Sequence, residues 1–167
     1  MDKFYEQFVF TRKSKAYHVL NALMYLVCGV AAVYLFFGVF MMFSITYIVF
    51  LVAAVALFFV VLNLRDKQYK EYEYIFTNGN LQIDVIYNKK KRKTIVEEDI
   101  KSFDDFGKAS EIKVPGNAEK IVCIPWDNNN EAYVFVVGRA RPRACYFVPN
   151  EHMLQLINMY NIRGVRR

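Results

Sequence analysis

From Val19 to Leu64 the chain contains no aspartate, glutamate, lysine or arginine. A gap of that length excludes an ordinary water-soluble fold, whose exposed helix and strand faces carry charge every few residues. One membrane crossing takes about 20 apolar residues. The gap is too long for one crossing and suits two, at about 16–41 and 46–64, around the polarity dip Phe43-Ser44-Ile45-Thr46. Carriers, proton relays and voltage sensors usually need an ionisable group inside the membrane. Its absence argues against transport by a single copy and leaves open a pore built from several.

Cysteine is scarce as well. Cys28, Cys123 and Cys145 make an odd set without C-x-x-C spacing, which argues against a zinc site and against a disulfide framework. They read as small buried apolar residues. A cleaved leader is not expected either. The first apolar segment far exceeds a signal-peptide core, a second follows directly, and Tyr25-Leu26-Val27 before Cys28 is no lipoprotein cleavage site. Catalytic signatures are missing: no G-x-S-x-G, P-loop, G-x-G-x-x-G or H-E-x-x-H occurs. His18 belongs to the membrane boundary and His152 to a solvated helix start. The chain is therefore read as a non-enzyme without cofactor or metal.

The 167 residues divide into an arm (1–15), the helical hairpin (16–65) and a tail (66–167) large enough for one small domain. The apolar fraction is 55% and the mean hydropathy +0.13, an excess that comes from the hairpin. In the arm, Phe4 and Phe8 lie on one face if it is helical, which reads as an interfacial segment on the bilayer. The alternatives are a frayed terminus or an arm packed on the tail. The turn in the hairpin is so short that the two helices are antiparallel neighbours. Ala22, Gly29, Ala31, Ala32, Gly38, Ala53, Ala54 and Ala56 would let their backbones approach. The same small residues could serve self-association of the hairpin.

Orientation follows from the basic flanks. Arg12, Lys13 and Lys15 stand before the hairpin, and Arg65, Lys67 and Lys70 after it. Two crossings put both flanks on one side, and the positive-inside rule makes that side the cytoplasm. The expectation is a multi-pass protein of the cell membrane with both termini cytoplasmic.

From Glu71 the pattern becomes short and alternating. Tyr72, Tyr74 and Phe76 alternate with Glu71, Glu73 and Ile75, and Asn78-Gly79-Asn80 is a tight-turn signal. A second strand holds Leu81, Ile83, Val85 and Tyr87. After a basic turn at Lys89–Lys93, further strands are predicted at Thr94–Glu97, Ile100–Phe106, Ile121–Trp126, Ala132–Gly138 and Ala144–Val148. A long irregular connection covers 107–119. Asn150 is an N-cap for a last helix whose apolar stripe is Met153, Leu156, Ile157 and Tyr160, with Gly164 past its end.

Seven strands and a closing amphipathic helix resemble a pleckstrin-homology (PH) domain. Tyr72-Glu73-Tyr74-Ile75-Phe76-Thr77-Asn78-Gly79-Asn80-Leu81, Ile95-Val96-Glu97-Glu98-Asp99-Ile100 and Tyr146-Phe147-Val148-Pro149 are similar to segments of bacterial PH-like domains that follow a two-span hairpin. The order of these segments carries the resemblance more than any one of them. It implies a mainly-β PH-like domain of two packed sheets behind a membrane α-helical hairpin. It does not bring a function, because one fold hosts many. PH domains that bind phosphoinositides use basic residues at their first hairpin loop. Asn78-Gly79-Asn80, taken as that loop, has no charge, so specific inositol-lipid binding by that route is not expected.

The net charge is +6. Nucleic acid is not expected as a partner, since no recognised nucleic-acid module occurs and the charge is spread over loops. The candidate contact residues for anionic phospholipid headgroups or a protein partner are Lys89, Lys90, Lys91, Arg92, Lys93, Arg139, Arg141 and Arg143, beside the terminal Arg163, Arg166 and Arg167. The plain alternative is a solvated hairpin tip that keeps a sheet edge soluble. Glu97, Glu98, Asp99, Asp104 and Asp105 lack calcium-loop spacing and read as ion-pair partners. The expected role is a membrane-anchored binding or scaffold module for an unknown membrane-associated protein or anionic lipid. An accessory subunit of a transport or channel assembly is the alternative, and a lipid-acting enzyme a third class.

Overall fold

The computed structural model describes residues 3–38 and 44–161. Met41 and Phe43 of the expected helix end and turn lie outside them, as do Gly164 and the terminal arginines. The described residues form two compact units. One comprises those up to Thr11 together with those from Lys70 onward, and the other runs from Arg12 to Tyr69.

The second unit is a pair of helices, α1 (Lys15–Gly38) and α2 (Ile45–Gln68). Both are long and apolar enough to cross a membrane. Each would reach about 36 Å at 1.5 Å per residue. Most of their side chains are exposed, and the contact between them is a narrow stripe that recurs every three to four residues along both helices, through positions such as Met24, Ala31, Ala54 and Val61. At one end Arg65 is buried against α1, with its Nη1 3.1 Å from Asn21 Oδ1 and its guanidinium over the Tyr17 ring. At the other end the rings of Tyr34 and Tyr47 stack, with centroids 4.4 Å apart. A Cβ on Gly38 would overlap the Tyr47 ring, so glycine is required there for the approach. Gly29 meets nothing within 4 Å, so that small residue does not serve the contact between the helices.

The first unit holds eight strands in two sheets and one helix. The sheet A order is β1 (Phe4–Val9), β2 (Lys70–Thr77), β3 (Asn80–Tyr87) and β4 (Lys91–Asp99), all antiparallel. Sheet B contains β5 (Asp105–Lys108), β6 (Glu119–Val122), β7 (Tyr133–Val137) and β8 (Arg143–Phe147), in the order β5-β7-β8-β6 with β6 parallel to β8. The helix α3 (Glu151–Tyr160) begins at Asn150, whose side chain accepts from the Met153 N–H at 2.9 Å.

The strand count of seven is corrected to eight by the arm. Phe4–Val9 is neither a helix nor a loose segment but the edge strand of sheet A, with Val9 opposite Tyr72 and Phe4 opposite Thr77. A spacing of four suits one face of a helix and, equally, one face of a strand. Tyr5 and Val9 turn inward against the core, while Phe4, Phe8 and Phe10 point outward and stay exposed. The predicted strand Ile100–Phe106 divides into a single 3-10 turn at Ile100–Ser102 and β5. Asp99 stops β4 there, because its carboxylate accepts from the Lys101 N–H at 2.8 Å. The strand expected at Ile121–Trp126 runs from Glu119 to Val122.

The core lies between the sheets. Tyr72, Tyr74, Phe76, Leu81, Ile83, Val85 and Val96 of sheet A face Phe135, Val137, Cys145 and Phe147 of sheet B, and Met153, Leu156 and Ile157 of α3 close it. Phe103 and Phe135 stack with centroids 4.3 Å apart. The outer face of sheet B is covered too. Val134, Val136 and Ala144 pack under Ala109, Ile112, Val114 and Ala118 of the irregular connection. Burial on both faces explains why β7 reads as an unbroken apolar run instead of an alternating one.

Candidate membrane-facing end

Strand register fixes which residues share an end of sheet A. Lys70 pairs with Tyr87, and Tyr87 pairs with Lys91, so these three form the last row of the sheet. Neighbouring strands lie about 4.8 Å apart, which puts Lys91 about 10 Å from Lys70 across that row. Only Tyr69 separates β2 from α2, and β1 leads through Phe10 and Thr11 toward α1. The tip between β3 and β4 therefore occupies the end of the sheet from which the chain leaves for the helices and to which it returns.

That tip is a tight turn. The Lys90 N–H donates to the Tyr87 carbonyl at 3.0 Å, and Asn88 and Lys89 have φ of 47° and 56°. The basic run is not all turn, since Lys91, Arg92 and Lys93 belong to β4. Lys89, Lys90, Lys91 and Lys93 are exposed. Arg92 points to the outer face of sheet A, where its Nη2 is 2.5 Å from Glu73 Oε2 and its Nε 3.8 Å from Asp84 Oδ2. Glu73 and Asp84 are directly opposite one another and almost fully buried. Burial raises the Glu73 carboxyl above its ordinary pKa. Arg92 pulls it back down, while Glu6 and Asp84 add to the rise. Arg92 is thus spent on an internal acidic pair, a use that only the strand register reveals.

The arginine trio lies elsewhere. Arg143 Nη2 is 2.5 Å from Glu98 Oε1, and Arg139 Nε is 3.4 Å from Asp104 Oδ1. Glu98 pairs with Leu81 at the opposite end of β4, beside the Asn78-Gly79 turn. Arg139 and Arg143 are the ion-pair partners expected for the acidic run, and Arg141 stands exposed between them, lining a shallow polar depression with Asn117, Glu119 and Pro142. The eight basic candidates therefore do not form one patch. Lys89, Lys90, Lys91, Arg92 and Lys93 mark the helix-connected end, and Arg139, Arg141 and Arg143 the far end.

Other groups of the helix-connected end escaped sequence reasoning. Thr11 Oγ1 donates to Asp127 Oδ1 at 2.7 Å, tying the loop after β6 to the exit of β1. The Tyr72 hydroxyl reaches the Val122 carbonyl at 3.5 Å. Trp126, Val122 and Phe10 are 62%, 58% and 68% exposed at this end. The signal in the sequence was Trp126 itself, the single tryptophan of the chain, at the end of a predicted strand.

The cysteines Cys123 and Cys145 are buried, with sulfurs 3.9 Å apart. Contact with the Cys123 thiol and burial push the Cys145 thiol up, away from reactive thiolate. Among the described residues no group of three or more His, Cys, Asp or Glu is placed to hold a metal ion.

The placement of β1 also changes the meaning of the Asn78-Gly79-Asn80 turn. It closes the second strand pair, β2–β3, and the connection of the first pair is the helical hairpin itself. The exclusion of inositol lipids drawn from that turn being uncharged therefore loses its ground.

Two packed four-stranded sheets closed by a C-terminal helix define a PH-like domain, here interrupted after its first strand by two long apolar helices. The profile of the family described as Bacterial PH-like domain (DUF6106) matches residues 1–167, and the chain belongs to that family. Comparison with curated proteins and with solved structures returned no match.

Proposed function

We propose that the protein is a cell-membrane anchored binding module. In this reading α1 and α2 cross the bilayer, both flanks lie in the cytoplasm, and the PH-like domain recruits a membrane-associated protein. It performs no catalysis. The observation that carries the reading is the pairing of β1 with β2 around the helices. Two strands that pair cannot stand on opposite sides of a membrane, so the connection between them crosses an even number of times. The basic flanks Arg12, Lys13, Lys15, Arg65, Lys67 and Lys70 assign the shared side to the cytoplasm. This argument is independent of counting apolar residues and is consistent with two crossings.

Anchoring supports a recruiting role because it raises the effective concentration of the domain for any partner held on the same surface. The far end, with exposed Arg141 and the depression beside it, is the surface best suited to a protein partner of acidic character. The test begins with topology. With the native cysteines replaced by serine, single cysteines at Ser110 and Asn129 should react with a membrane-impermeant maleimide in inverted vesicles and not in intact cells. Labelling in intact cells overturns the reading. In-cell photo-crosslinking from position 141 then identifies the neighbour. A stable complex with polytopic proteins would favour an accessory subunit of a transport assembly instead.

A further inference from the structure

We infer that the helix-connected end of the PH-like domain is a docking surface for an anionic phospholipid bilayer. Lys89, Lys90 and Lys91 would lie on the headgroups, with Trp126 and Phe10 at the interface. The inference rests on the membrane anchorage proposed above and adds to it a face, an orientation and a ligand class.

Three observations carry it. The first is position. The Lys70–Tyr87–Lys91 row and the exit of β1 bound the same end of sheet A, so the lysine tip belongs to the end of the domain at which the chain joins the two apolar helices.

The second is the backbone of the tip. Sheet A makes two tight turns whose central residues have positive φ. At the far end they are Asn78 and Gly79 (φ 50° and 95°), the residue pair that this geometry prefers. At the helix-connected end they are Asn88 and Lys89 (φ 47° and 56°). A lysine in that conformation is strained where glycine would not be. Strain kept at a surface position points to a use for the side chain. A soluble hairpin tip would be served equally well by Asn-Gly, as the far turn demonstrates.

The third is what stands beside the lysines. Large apolar side chains, Phe10, Val122 and Trp126, are exposed at this same end, held there by the Thr11–Asp127 hydrogen bond and the short path from Val122 to Trp126. Lysine on headgroups with tryptophan at the water–hydrocarbon boundary is the arrangement that an interface selects. Water alone favours neither the exposed aromatics nor their company with a basic tip. The far end exposes Phe4 as well, but its Arg139 and Arg143 are engaged by Asp104 and Glu98 instead of standing free beside it.

Trp126 is the single tryptophan of the chain, so its emission reports this end alone. The full chain is reconstituted in nanodiscs of phosphatidylcholine, with and without phosphatidylglycerol. Tryptophan emission and iodide quenching are then read at low and high salt. In anionic discs the emission should move to shorter wavelength and quenching should fall, and salt should reverse both. Each charge near an anionic leaflet is worth about five-fold in binding, so K89Q/K90Q/K91Q should lower the docked-to-free ratio roughly a hundredfold. The triple variant R139Q/R141Q/R143Q, at the far end, should leave the emission unchanged.

Identical emission and quenching of the wild-type chain in the two kinds of disc would overturn the docking. An equal response to both triple variants would overturn the assigned face, because it would show attraction by net charge only. Alkaline carbonate extraction separates the two layers of the argument. A chain stripped from membranes refutes the anchor and the docking together, whereas a retained chain with an unresponsive Trp126 refutes the docking alone.

Discussion

The placement of β1 before the helices predicts that the domain cannot be completed by residues after Lys70 alone. Gln7 makes the sharpest probe. Its Nε2 donates to the Val148 carbonyl at 2.9 Å, and its Oε1 accepts from the Asn150 N–H at 2.8 Å. One side chain thereby joins β1 to the end of sheet B and to the N-cap of α3. Gln7→Ala removes both bonds and leaves the two backbone groups to find water. At about 1 kcal/mol for each bond, the loss is about 2 kcal/mol. For a domain of about 100 residues that lowers Tm by roughly 8–16 °C.

Deletion of residues 1–10 goes further. It also removes the inward packing of Tyr5 and Val9, the Tyr5–Asn150 hydrogen bond and six pairs of strand register with β2. The assay is hydrogen exchange by mass spectrometry on the full chain in detergent, following peptides from β2 and α3. Gln7→Ala should speed exchange at the start of α3 with β2 little affected, and the deletion should deprotect β2 along its length. A synthetic peptide of residues 1–11 added to the deleted chain should restore part of the protection. Unchanged β2 protection in the deletion variant would refute the reasoning, because β2 would then be an edge strand that never had a partner.

Three further outcomes are expected. Gly79→Ala places a Cβ 2.6 Å from the Tyr160 ring at a φ of 95°, so it should cost about 1–3 kcal/mol in chemical denaturation and shift Tyr160 away from Phe76. Burial above all pushes the Tyr72 hydroxyl up to about 12, from 10.0. The folded state therefore favours the neutral phenol. This contribution is intact below pH 10 and is lost as the pH climbs from 10 to 12, a fall of about 2–3 kcal/mol that Tyr72→Phe should remove from the pH profile of unfolding. Lys89→Gly should raise stability by about 1 kcal/mol through relief of the positive φ while weakening the response of Trp126 to anionic discs. A glycine variant no more stable than wild type would show that the turn carries no strain.

Much of this was legible in the residues. The charge gap from Val19 to Leu64 corresponds to two helices of membrane length, with Lys15 and Arg65 near their outer ends. Alternation in Tyr72–Phe76 and Leu81–Tyr87 with Asn78-Gly79 between them corresponds to β2, its turn and β3, because a tight hairpin is specified by its own residues. The stripe Met153, Leu156, Ile157 and Tyr160 behind Asn150 corresponds to α3 for the same reason. The misreadings have a common origin in contacts between residues far apart in the chain. Phe4 and Phe8 fit either periodicity, and what makes their segment a strand is an unpaired edge of β2 more than sixty residues on. The basic residues looked like a single class, yet Arg92 pairs with Glu73 and Asp84, and Arg143 with Glu98, on strands that only the register brings alongside. The shielded outer face of β7 depends on the irregular stretch that follows β5, whose apolar residues have no period to announce them.

By itself, then, the amino-acid order determined that two apolar helices exist, that a small mainly-β domain accompanies them, and which short hairpins and helix that domain contains, since hydrophobic period, turn chemistry and capping act between near neighbours. Only the tertiary structure decided that the domain is assembled from both sides of the helices, and that Lys89, Lys90 and Lys91 share one end with Phe10 and Trp126 while Arg139 and Arg143, paired with Asp104 and Glu98, occupy the other. Those facts depend on which strands meet and in what register, and the free energy that selects a register comes from burying side chains of distant segments against one another.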